Sequence, residues 1–329
     1  MPDARARSWR PLLVIVACVL VIGVMIGIDR LKPDILTQVG APLQGVTEVL
    51  NPRITRHVII ISIDGLRPDA IAKFDAPTLQ WLVKNGRSTL NARTIKPAKT
   101  LPSHASMLTG VPPSVHGITW NADSTATRGR IKVPTIFEIA RRRGLRTAAF
   151  FGKTKFEHLA VEGSFDYIER PIGGLLSRWA SQIDKATADY LHEASPNLLF
   201  VHIADVDFAG HRVGWMSWYY GRAVSSADAA VRDIMNSADG AFGKGEYTLI
   251  VTSDHGGTGT DHGYHAQDEI IPWMVWGEGV NGSGPITDPV STMDTAATAL
   301  WLLGIDPPSY MTGKPVLSAF RHVAPLISP

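Results

Sequence analysis

The chain has 329 residues, of which 45% are apolar and 19% charged, and its formal net charge is +2. That length and apolar share suffice for one large or two small packed domains, while the near-neutral charge and the lack of a basic run argue against a nucleic-acid polymer as partner. The one cysteine, Cys18, excludes an intramolecular disulfide and a thiolate metal cluster, so any metal site must be built from histidine and carboxylate.

Arg5, Arg7 and Arg10 precede an unbroken apolar run over residues 11–28. This is near the short end of the roughly 17–25 residues that cross a bilayer as a helix, and no polar face interrupts it. The run predicts a transmembrane helix. No small-residue cleavage site follows Ile28, which favours a retained anchor; a lipoprotein-type signal ending at Cys18 is the weaker alternative, because the apolar run continues past it. The leading arginines place residues 1–10 in the cytoplasm and the remainder outside, as a single-pass membrane protein with an extracytoplasmic domain. Residues 29–56 contain Pro33, Pro42 and Pro52 without a sustained period, and are read as a linker to a domain over residues 57–329.

Within that domain, Val58–Ile63 is a short β-branched run suited to a strand buried on both faces, and similar runs recur at 146–151, 198–203, 247–252 and 273–276. Helical patterns fall between them, at 77–85, 134–143, 217–237 and 292–303. The alternation predicts an α/β fold with a mostly parallel central sheet and helices on both faces.

Ligands of such sheets bind at the carboxyl ends of the strands. Three of the runs deliver aspartate there: Asp64 after the first, Asp207 with His211 after the third, and Asp254 with His255 after the fourth; His262 follows shortly. A single aspartate at such a place reads equally well as a cap. Three together, two with histidine close by, form the carboxylate and imidazole set expected of zinc, ahead of manganese or iron. A further segment runs from Lys99 to Gly110, and Pro102 suits the first turn of a helix, which puts Thr100 at its N-terminus. Alone, Thr100 is best read as a helix cap. Beside metal ligands its hydroxyl becomes a candidate nucleophile at a phosphate-binding helix end.

These pieces resemble the alkaline phosphatase superfamily, and within it the nucleotide pyrophosphatase/phosphodiesterase branch. The resemblance covers about residues 58–317 and rests on Ile63-Asp64-Gly65-Leu66-Arg67-Pro68-Asp69, the Thr100 segment, Gly110–Ile118, Asp207-Phe208-Ala209-Gly210-His211, Ser253-Asp254-His255-Gly256 and Asp261-His262-Gly263, in family order. It implies two divalent metal ions, with zinc favoured. Asp64, Thr100, Asp254 and His255 match the ligands of the ion that activates the nucleophile, and Asp207, His211 and His262 match those of the other. Asn121 falls where phosphodiesterases of this type hold a phosphoryl oxygen. The implied activity is hydrolysis of a small phosphoester, of nucleotide or lipid-headgroup type, through a phosphothreonine on Thr100.

Several assignments have competitors. His265 competes with His262, and Asp205 with Asp207; His104 and His116 read as supporting residues, and His57, His192 and His202 as structural or surface. Asp294 is read as a helix cap. Lys153 and Lys155 resemble the lysine pair that grips the carboxylate in phosphonoacetate hydrolases, or else form a solvated loop. Trp215, Trp218, Tyr219 and Tyr220 offer either a stacking face or helix packing. A sulfatase is disfavoured because Thr100-Leu101-Pro102-Ser103-His104 lacks the required Cys/Ser-x-Pro-x-Arg pattern. Phosphonoacetate hydrolysis and monoester hydrolysis remain alternatives on the same site. The rival of another class, a non-catalytic binding module at the membrane, is opposed by competent residues at every ligand position.

Overall fold

A computed structural model describes residues 53–171 and 179–321. The expected transmembrane helix over residues 11–28 lies outside these; among the described residues no helix is long and apolar enough to cross a membrane. Eight strands form one sheet: β1 (Val58–Ile63), β2 (Arg87–Arg93), β3 (Thr147–Phe150), β4 (Tyr167–Glu169), β5 (Leu198–Ile203), β6 (Thr248–Thr252), β7 (Ile270–Gly277) and β8 (Gly284–Pro285). Their order is β4-β3-β5-β1-β6-β7-β2-β8. The first five of that order run parallel, and β7 alone among the described strands runs against its neighbours, pairing antiparallel with β6 and β2. The sheet is therefore mixed but mostly parallel.

Every residue of β1 is buried, and alternation divides them. Val58 and Ile60 belong to one apolar cluster, while Ile59, Ile61 and Ile63 belong to the other. Helices Thr100–Thr109, Ile136–Arg142 and Asp294–Leu302 supply the first cluster; Pro77–Asn85, Ala180–Glu193 and Trp218–Phe242 supply the second. Two covered faces explain why the central strands read as continuous apolar runs instead of alternating ones. The 25-residue helix Trp218–Phe242 starts where Ser217 Oγ accepts from Tyr220 N–H, as a helix cap does.

Within the expected linker, the Ile54 and Thr55 N–H groups both donate to Leu302 O, which ties residues 54–55 to the end of the Asp294–Leu302 helix. Asp294 is the first residue of that helix and not the cap before it; its carboxylate accepts from Ser291 N–H and Lys314 N–H, so it pins two loops to the helix start.

Candidate active site

At the carboxyl end of β1 the chain turns through Gly65, whose φ of +74° and close approach to Asp207 Cα, 2.9 Å from where a Cβ would stand, both require glycine. Asp64, at that turn, is fully buried. Asp254 and His255 follow β6, and the Gly65 N–H donates to Asp254 Oδ1 at 3.1 Å, which locks the two strand ends together. Asp207 and His211 sit four residues apart on the helix Asp205–Val213 that follows β5. His262 arrives from the loop after β6, its ring stacked on His255 with centroids 3.7 Å apart.

The residues thus fall into two groups. Asp64, Asp254 and His255 form one; Asp207, His211 and His262 form the other, with the donor atoms of each group within 4.8 Å of one another. The resemblance assigned these residues to the same two positions, the first together with Thr100. Thr100 is the first residue of its helix, is buried, and has Oγ1 3.3 Å from His255 Nε2.

The donor set fits divalent cations. His211, His255 and His262 each direct Nδ1 at a backbone carbonyl, of Thr260 (2.9 Å), Gly256 (2.7 Å) and Ala98 (2.7 Å) respectively. A carbonyl only accepts, so Nδ1 carries the proton and Nε2 faces the carboxylates. In turn, one buried oxygen of each carboxylate, Asp64 Oδ1, Asp207 Oδ1 and Asp254 Oδ2, has no hydrogen-bond partner. Unpaired buried carboxylate oxygens beside oriented imidazoles are costly unless a cation meets them.

The electrostatics agree. Burial pushes Asp254 up to about 8, with the Asp64 charge adding to it. Burial opposes a charged His255, but Asp254 and Asp64 outweigh it and raise the imidazole. Asp64 stays below the usual carboxylate range because Lys153, His202 and His255 overcome its desolvation. His262 is held down to about 4, by burial first and by His255 second, and so stays neutral as a ligand must.

Of the competing candidates, His265 is exposed at the start of a short turn and joins neither group. Asp205 accepts from Ala180 N–H and also stays apart. His104 supports the Thr100 segment: Nδ1 donates to Thr100 O at 2.8 Å, and Nε2 accepts from Ser62 Oγ at 2.8 Å. His116 bonds Ser106 Oγ. Asn121 Oδ1 accepts from Leu101 N–H at 2.9 Å and from Lys155 Nζ at 3.3 Å, which leaves its Nδ2 donors free of those contacts at the end of the Thr100 helix.

Lys153 is placed deeper than a rim lysine, with Nζ 2.6 Å from Asp64 Oδ2 and 2.5 Å from Asp207 Oδ2. Lys153 also lines a cavity of about 220 Å³, with Phe151, Thr154, Glu157 and Arg170. Trp215 and Tyr220 are scaffolding: Trp215 Nε1–H and Tyr220 O–H both donate to Gly65 O at 2.9 Å. Trp218 is exposed. His202, read from the sequence as structural or surface, is buried and lies against the site, with Nε2 3.0 Å from Asp64 Oδ2. The signal was present: it is the one polar residue in the buried strand Leu198–Ile203, at its carboxyl end.

A mostly parallel sheet carrying two aspartate–histidine groups at its carboxyl ends defines an alkaline phosphatase-like α/β protein. Residues 58–285 match the family model for Type I phosphodiesterase / nucleotide pyrophosphatase, and the chain belongs to that family. It is 26% identical over 249 residues to human ectonucleotide pyrophosphatase/phosphodiesterase family member 7, covering 68% of this chain and 51% of the relative. It is 23% identical over 262 residues to human GPI ethanolamine phosphate transferase 1, covering 70% of this chain and 27% of that protein. The chain therefore spans about half of the former and about a quarter of the latter. The fold is shared with murine ectonucleotide pyrophosphatase/phosphodiesterase 5, solved as an inactive threonine-to-alanine variant in complex with AMP, at a TM-score of 0.70 and 16% identity, covering 81% of this chain and 100% of that one.

Proposed function

We propose that the chain is a two-metal phosphodiesterase of nucleotide pyrophosphatase type, with Thr100 as nucleophile. The observation that carries this reading is the Thr100 hydroxyl, at the start of a buried helix and 3.3 Å from a histidine of one aspartate–histidine group. Asp64, Asp254, His255 and Thr100 would hold one ion, and Asp207, His211 and His262 the other. When bound, two such ions, zinc being favoured by the donor set, lower the pKa of a coordinated hydroxyl and neutralise charge on a phosphoryl group.

The chain's own residues do the rest. Thr100 Oγ forms a bond to phosphorus as the bond to the leaving oxygen breaks, and water then cleaves the resulting threonine ester to restore the hydroxyl. N–H groups at the helix start and the Asn121 Nδ2 donors face the phosphoryl oxygens and hold the charge that builds on them. The cavity beside Lys153 receives the substituent on phosphorus. The AMP complex of the murine relative supports a nucleotide there, and the similarity to an ethanolamine phosphate transferase supports a lipid-headgroup diester as the second choice.

Phosphonoacetate hydrolysis would need the Lys153 and Lys155 amines together on a carboxylate. Lys155 is available at Asn121, whereas Lys153 is engaged by two carboxylates, which ranks this activity, and monoester hydrolysis, below the diester. A non-catalytic binding module is ranked last, because all seven ligand and nucleophile positions are filled. Residues 11–28 anchor the protein as a single pass, with the catalytic domain outside the cytoplasm.

The test compares a nitrophenyl nucleotide diester, a nitrophenyl monoester and phosphonoacetate, with a chelator and a Thr100→Ala variant as controls. The expected outcome is fastest turnover of the diester, reduced about 10³-fold or more by either control. Preference for phosphonoacetate would replace this reading with the second one.

A further inference from the structure

The three metal-facing carboxylates share one arrangement. The oxygen without a partner is the one that faces a histidine of the two aspartate–histidine groups: Asp64 Oδ1 lies 3.3 Å from His255 Nε2, Asp207 Oδ1 lies 3.4 Å from His211 Nε2, and Asp254 Oδ2 lies 3.2 Å from His255 Nε2. The other oxygen is held by a protein donor in every case. Gly65 N–H holds Asp254 Oδ1, His202 Nε2 and Lys153 Nζ together hold Asp64 Oδ2, and Lys153 Nζ holds Asp207 Oδ2.

We propose that His202 and Lys153 form a clamp that fixes which oxygen of Asp64 and of Asp207 faces a metal ion, and that Lys153 ties the two metal positions to one another. The clamp rests on the two-metal reading above. His202 serves one position and Lys153 serves both, because of these two side chains it is Lys153 that reaches a carboxylate of each group.

The surroundings show that the clamp is built. The His202 ring is fully buried, and its edge packs against Phe156 and His104, with centroids 4.4 Å and 4.9 Å away. A Cβ at Gly152 would stand 2.7 Å from both His202 Nδ1 and His202 O, so glycine is needed where the chain passes the ring just before Lys153. A donor to the far oxygen of a ligating carboxylate limits its rotation, and loss of such a partner typically weakens metal binding about 10–100-fold. On this account Lys153 is a positioning residue whose ammonium is spoken for, and the substrate amine of the site is Lys155.

The test is zinc binding by chelator competition on the detergent-solubilised full chain, resolving both ions. Wild-type protein is expected to take up two. His202→Leu should weaken one ion about 10–100-fold and leave the other at its wild-type affinity. His202→Gln, whose amide reaches the same oxygen, should recover most of the loss, and His202→Asn, one bond shorter, should not; that pair keeps the test open if the leucine variant does not fold. Lys153→Met should weaken both ions, with partial recovery in Lys153→Arg. Wild-type affinity for both ions in His202→Asn and Lys153→Met would overturn the clamp, as would tighter binding in Lys153→Met. Wild-type protein that binds fewer than two ions would instead contradict the metal reading beneath it.

Discussion

His116 shows how the site's supporting histidines are held neutral. Its Nδ1 accepts from Ile118 N–H at 3.1 Å while Nε2 faces Ser106 Oγ at 3.0 Å, so protonation of Nδ1 would forfeit a backbone bond. Burial, only partly offset by a backbone contact at Pro102, lowers the group from 6.5 to about 4. The sign follows from linkage. A histidine depressed in the fold contributes stability that is present above pH 6.5 and is lost as pH falls towards 4. The loss should be on the order of 2 kcal/mol once discounted for solvent near the ring. Urea unfolding at pH 7.5 and pH 4.5 checks this: His116→Gln should show a shallower acid loss than wild type, and equal losses in the two proteins would contradict it.

At the scale of elements, one carboxylate joins two helices. Asp228 lies buried within the helix Trp218–Phe242 and accepts from Thr78 N–H (3.2 Å) and Leu79 N–H (2.7 Å), the first turn of the helix Pro77–Asn85. The residue before that helix, Ala76, has no side-chain acceptor of its own, so the partner helix supplies the cap. Asp228→Ala should cost about 2–3 kcal/mol, since it leaves buried donors unpaired. A urea midpoint equal to that of wild type would contradict this role.

How far such elements could be read from the sequence depended on burial. The strands covered on both faces, β1, β5 and β6, were legible as apolar runs to within a residue. The edge β4 has three residues, and β2 has the polar sequence Arg87-Ser88-Thr89-Leu90-Asn91-Ala92-Arg93 with only two positions buried, so neither produces a run. The reversed direction of β7 was not legible either, because strand composition carries no polarity. In the site, the seven motif residues were legible by type and order. The depth of Lys153 and the hydrogen bond of His202 were not, because both depend on how close β3 and β5 bring their carboxyl ends to Asp64.

At the scale of the whole molecule, the family, the two donor groups and the buried threonine converge on one end of one sheet. The proposed anchor makes a separate prediction. The full chain should sediment with membranes and resist extraction by high salt or carbonate, whereas a chain starting at residue 29 should be released; release of the full chain by carbonate would contradict the single-pass assignment. The central claim is the role of Thr100, and a quenched-turnover mass measurement tests it most directly. Zinc-loaded protein stopped during turnover of a nitrophenyl nucleotide diester should carry the nucleotidyl group on the peptide containing Thr100, and Thr100→Ala should show neither adduct nor turnover. An unmodified Thr100 peptide together with undiminished turnover by Thr100→Ala would contradict the account.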